Sequence, residues 1–183
     1  MDGYTIDWLN LLFRWMHFIF GAAWIGTSFY FNWLNNHLRP PQPPREGVLG
    51  ELWAVHGGAY YSVTKNDPRM DAVPSPLHWF KWEAYLTWIS GVCLLGVVYH
   101  ASADTLLLGG APVALSPGAG IGVSFGSMVV GWFVYDFLCK SPLAKKPVAL
   151  ATLGFALVVA MAWGFTQIFN PRAAYLHVGA VLG

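Results

Sequence analysis

The stretch FRWMHFIFGAAWIG, Phe13 to Gly26, sets Arg14 and His17 three residues apart in an otherwise apolar run. An ionisable side chain inside a membrane span costs several kcal/mol, about 2.5 to 3.5 for a central arginine, so such residues are candidates for function. His17 lies about 13 Å along a helix from Trp8, the first aromatic of the run. Arg14 is a turn nearer the start, within snorkelling reach of the interface. A neutral imidazole at that depth can ligate a metal or a haem iron, or it can hydrogen-bond to a neighbouring helix. Gly21, one turn further along the same face, leaves room for a flat macrocycle against the backbone.

Four other sets of residues carry chemistry. His177 and His100 lie in or beside apolar segments, as His17 does. LHWFKWEAY gathers His78, Lys81 and Glu83, where Lys81 also reads as an interfacial anchor beside Trp79 and Trp82. Asp136 is a carboxylate in an apolar segment. WAVHGGAYY places His56 before two glycines that either admit a ligand close to the backbone or make a re-entrant turn, and His37, beside a proline run, reads as solvated.

These residues need elements to hold them. An apolar helix takes about 20 residues to cross a bilayer, and four segments qualify: about Trp8 to Leu34, Trp79 to Tyr99, Ala119 to Leu138 and Val148 to Phe169. A fifth starts near Ala174 and stops at Gly183, which reads as the opening of another span in a longer protein. The acidic start MDGYTIDW lacks the positive leader of a signal peptide, and the run after it is too long for a signal core. The expected fold is therefore all-α, a polytopic transmembrane helix bundle forming one membrane domain over residues 1–183.

The prolines of NHLRPPQPPREG stop the first helix. A long loop, about residues 35–78, follows, and its aromatic content predicts ordered structure. The other connections read as short hairpin turns. Arg39, Arg45, Lys65, Arg69 and Lys81 mark the first connection, and Lys140, Lys145 and Lys146 the third, whereas the second has no basic residue and the fourth only Arg172. The positive-inside rule then puts the first and third connections in the cytoplasm and the N-terminus outside.

With about 100° per residue, Arg14, His17, Gly21, Ser28, Asn32 and Asn35 share a sector of about 60° on the first helix. Glu83, Thr87 and Ser90 share a face of the second, with His100 well off it. Gly118, Gly122 and Asp136 align on the third, and Gly122 with Gly126 forms a small-xxx-small packing motif. His17 and His177 fall at similar depth in the outer leaflet and are candidate axial ligands for a haem b. His100 reads as a solvated helix end.

Composition agrees with a membrane class. Only 10% of the 183 residues are charged and 56% are hydrophobic, against about a quarter charged in soluble domains. A net charge of +1 offers no basic surface for nucleic acid. Cys93 and Cys139 are far apart and form no CxxC, and CxxCH is missing, so any haem here is held without covalent attachment.

The motifs RWMHFIFGAAWIGTSFYFNWLNNHL, GELWAVHGGAYY, LHWFKWEAYLTWISG and AAYLHVGAVLG together resemble the N-terminal membrane domain of the cytochrome c-linked urate oxidases, or urate hydroxylases, across nearly the whole chain. That resemblance implies a multi-pass protein of the bacterial inner membrane, of about eight helices, with a C-terminal cytochrome c domain whose haem lies beyond this chain. It implies oxidation of urate to 5-hydroxyisourate, electrons passing to cytochrome c, with lipid, urate and cytochrome c as partners. Urate is an anion, so a cation, Lys81 or Arg14, would hold it, and Glu83 or Asp136 would take its proton. The first helix alone also resembles the membrane haem proteins of protoporphyrinogen oxidation. Two rival readings fit the same residues: a b-type cytochrome subunit that relays electrons without purine chemistry, and a non-catalytic transporter or structural bundle.

Overall fold

The computed structural model describes residues 3–69, 73 and 75–183. The acidic Asp2 and the part of the long loop around Asp71 lie outside the described residues. The chain is mostly helical, and it divides into two compact units, Met1–His17 with Leu86–Gly183, and Phe18–Tyr85.

The long helix α1 runs Gly3–His37 and ends before Pro40, as the proline run dictates. After it the second unit holds a feature that a loop reading did not foresee. Strands β1, Val48–His56, and β2, Ala59–Asn66, form an antiparallel hairpin in which His56 pairs with Ala59. Gly57 and Gly58 both have positive φ, 56° and 79°, which is what a two-residue hairpin turn of matching twist requires. The two glycines therefore close a hairpin; they do not make a re-entrant turn. Arg39 forms a bridge with Glu51 through both backbone groups, Arg45 pairs with the Glu51 carboxylate, and Lys65 donates to Asn35 at 2.8 Å. Just past β2 the Arg69 guanidinium holds the Asp67 carboxyl below its ordinary range.

Helix α2, Trp82–Leu94, starts in the second unit and runs into the first, where it continues as a π-helical segment, Leu95–His100, and a second π-helical turn covers Ala103–Leu107. The Ala101 N–H reaches back five residues to the Gly96 carbonyl. Helix α3, Pro117–Lys140, starts with Ser116 capping the Ala119 N–H. A 3₁₀ turn, Pro142–Lys145, leads into α4, Pro147–Ile168, and Asn170 caps α5, Pro171–Leu182.

The connection before α3 is more than a hairpin turn. Leu107 and Ala103 are buried, and Asn170 ties the segment to the α4–α5 junction through the carbonyls of Leu107 and Gly109. Leu95, Tyr99, Leu107, Met128, Phe165, Phe169, Ala173 and Ala174 form the core of this unit.

Among the described residues, three helices are long and apolar enough to cross a membrane, Trp82–His100, Pro117–Lys140 and Pro147–Ile168. The sequence reading expected four complete spans. The first of these, now α1, is long enough with its 35 residues but is not among the three: its Trp, Tyr, Asn, Arg and His residues hold down its mean hydropathy.

Candidate functional site

His17 is seated by α2. Its Nδ1 donates to the Thr87 carbonyl at 2.9 Å and lies 3.2 Å from the Ser90 hydroxyl. Ser90 is buried, and its hydroxyl is turned back on the Leu86 carbonyl at 2.6 Å. Gly91 makes the approach possible, because a Cβ there would stand 3.1 Å from His17 Cε1. With Nδ1 given to a carbonyl, Nε2 is left bare on an exposed ring, the form in which histidine binds metals, with its other nitrogen oriented by a backbone oxygen.

His177 has a different setting. It is 0% exposed, its ring stacked on Phe169 at 4.2 Å and 18°, with the edge of Phe165 at 5.8 Å. Nδ1 donates to the Ala173 carbonyl at 2.7 Å, one turn back, and Nε2 lies 2.6 Å from the Ser124 hydroxyl. That same hydroxyl is 2.9 Å from His100 Nε2. Ser124 thus joins the end of α2 to α5 across α3. His100, expected to be solvated, is half-buried against Phe125 and hydrogen-bonded inside the bundle.

α5 is tied down at two further points. The Trp88 indole donates to the Ala180 carbonyl at 3.1 Å, and Val181 packs onto Gly131. The buried positions of α3 are Gly120, Ser124 and Met128, a face four residues apart in register, so the aligned Gly118, Gly122 and Asp136 lie on the other side of the helix. Gly122 and Gly126 have open space where a Cβ would stand; the close approaches in α3 are at Gly120, against Leu108, and at Gly131.

The remaining candidates stay near their own helices. Arg14 donates from Nε to Asn10 at 2.6 Å. Asp136 is in an i, i+4 ion pair with Lys140 at 2.7 Å. Lys81 lies 5.8 Å over the Trp82 ring, Glu83 is half-buried in the first turn of α2, and Gly21 is half-buried in α1. His78 packs edge-on to Phe80, His37 stacks on Trp33, and His56 is exposed at the hairpin turn.

A haem held between two histidines needs a free nitrogen from each. His17 offers one. His177 does not fit, since both of its nitrogens are spent inside the protein, and its partner is Ser124 instead of His17. Among the described residues, no group of three or more His, Cys, Asp or Glu is placed to hold a metal ion. Sequence reasoning found His17 and His177 and set Thr87 and Ser90 on one face of the second helix, but missed Ser124 and Gly91; a serine inside the apolar stretch GVSFGSM was the available signal for the first.

Apolar helices of spanning length, carrying ionisable side chains packed against buried hydroxyls, make a helical protein compatible with a membrane location. The Urate oxidase N-terminal family matches residues 3–183, and the chain belongs to that family. Nothing matches it among curated proteins or among solved structures.

Proposed function

We propose that the chain is the membrane-embedded part of a urate oxidase that converts urate to 5-hydroxyisourate and passes the electrons to a cytochrome c. The observation that carries this reading is the family match over residues 3–183. The three apolar helices support the membrane part.

Urate and water give 5-hydroxyisourate, two electrons and two protons, so the protein must hold an anion, accept a proton and pass on electrons one at a time. A guanidinium or ammonium does the first. Arg14 suits it, with only Nε committed among the described residues, to Asn10, and Lys81 is the second candidate. Glu83 is the favoured base over Asp136, whose carboxylate is already balanced by Lys140. Of the histidines, His17 is the one that suits haem iron, its ring fixed by the Thr87 carbonyl and its Nε2 bare. Haem bound there would supply one-electron acceptance.

The test uses membranes from cells that express the complete protein, with urate absorbance and cytochrome c reduction followed together. One urate lost for each pair of cytochromes reduced is the expected result. No urate loss overturns the reading, and urate loss without cytochrome reduction overturns the cytochrome link. His17→Ala is expected to remove a b-type band from the reduced-minus-oxidised spectrum, and a band that survives would move the ligand elsewhere.

A further inference from the structure

We propose that His100, Ser124 and His177 form a proton relay through the core of the helical unit, with the Ser124 hydroxyl as the shuttle and His177 as its buried terminus. This goes beyond the urate reading and does not rest on it.

The order of donors follows from one fixed point. A backbone carbonyl only accepts, so the His177 Nδ1 that lies 2.7 Å from the Ala173 oxygen carries a hydrogen. The Nε2 of the neutral ring is then bare and accepts from the Ser124 O–H at 2.6 Å. With its single hydrogen committed, the hydroxyl has only lone pairs left for His100, whose Nε2–H donates at 2.9 Å. The neutral His100 ring is left with a bare Nδ1, which has no partner among the described residues. Three groups on three helices therefore point their hydrogens the same way, from the half-buried His100 to the fully buried His177.

One passage balances as follows. An N–H bond forms at His100 Nδ1 as a proton arrives. The Nε2–H bond breaks and its proton goes to Ser124 Oγ, while the Ser124 O–H bond breaks and its proton goes to His177 Nε2. One proton enters, one is stored, and no electron moves. The resulting imidazolium keeps both of its hydrogen bonds, to Ala173 and Ser124, and lies flat on Phe169 at 4.2 Å, an arrangement that stabilises a cation through the ring face. Among the described residues, neither ring has a carboxylate, lysine or arginine as a hydrogen-bonding or ring-contact partner. The groups facing the relay are Ser124 on α3, Phe125 beside His100, Phe165 on α4, Phe169 at the α4–α5 junction and Ala173 on α5.

Nuclear magnetic resonance of the full chain in micelles, with 15N in the histidine rings, tests the relay. Near neutral pH the expected tautomers are Nδ1–H for His177 and Nε2–H for His100. On acidification the two Nε2 signals are expected to move in step and in opposite senses, His177 Nε2 gaining a hydrogen as His100 Nε2 gives up its own. Ser124→Ala is expected to abolish that shared movement, and Ser124→Thr, which keeps the hydroxyl, to restore it. Rings that respond independently in the unaltered protein, or a shared movement that survives Ser124→Ala, overturn the proposal. If Ser124→Ala does not fold, His100→Gln keeps a donor to Ser124 but cannot relay. The expected result is then loss of fast solvent exchange at the His177 ring, and unchanged exchange overturns the proposal equally.

Discussion

His17 stood out in the sequence because an ionisable residue in an apolar run is rare and costly. What seats it has no such signature: a main-chain carbonyl at Thr87 and the missing side chain of Gly91. Ser124 was hard to see for a related reason, since serine is common in apolar helices and only its contacts mark it. The Gly91 contact is testable by itself. A methyl group there would stand 3.1 Å from Cε1 and 3.4 Å from Nδ1 of His17, so the ring has to move by a few tenths of an ångström. Gly91→Ala is expected to weaken the bond to Thr87 and destabilise the protein by about 1 kcal/mol. Thermal unfolding in detergent reads the second effect and the His17 Nδ1 resonance the first. An unmoved resonance would mean that the ring is not seated on α2.

At the scale of elements, the helices were legible from apolar length, and the end of α1 from its prolines. Three features were not. The hairpin carries alternating residues around Gly57-Gly58, but its pattern is diluted because Leu49, Trp53, Val55 and Tyr60 are all exposed, leaving no clean apolar face to read. The π-helical close of α2 turns less per residue than an α-helix, so a count at a fixed angle misplaces His100. The face of α3 was misassigned because glycines look alike in sequence whether or not anything approaches them. That last point separates two substitutions. Gly131→Ala would push into Val181, a β-branched side chain with little rotamer freedom, and overpacking of that kind costs about 1–3 kcal/mol. Better helix propensity offsets about 1 kcal/mol. Gly122→Ala meets open space and keeps only the gain. In detergent unfolding, Gly131→Ala is expected to be the less stable of the two and to recover when Val181→Ala is added, as contacting residues couple. Equal stabilities would remove the α3–α5 contact from the fold.

On the scale of the whole molecule, the direction of the helices decides which side of the membrane supplies the relay. The turn between α3 and α4 follows Lys140 and carries Lys145 and Lys146, while the connection between α2 and α3 has no basic residue. Cytoplasmic loops attract such charge, so the C-terminal end of α3 is expected inside. Ser124 lies early in α3 and His100 closes α2, so in that orientation the open end of the relay is expected toward the outer side. Cys139 reports the orientation, because it is exposed beside Lys140, whereas Cys93 is half-buried within α2. A membrane-impermeant maleimide is expected to modify the protein in inverted vesicles and not in intact cells, with Cys139→Ser removing the signal and Cys93 unmodified in both. Modification from the outside would reverse the bundle and turn His100 toward the cytoplasm. The proton stored at His177 would then come from the cytoplasm, and its uptake would draw on the membrane potential in the opposite sense.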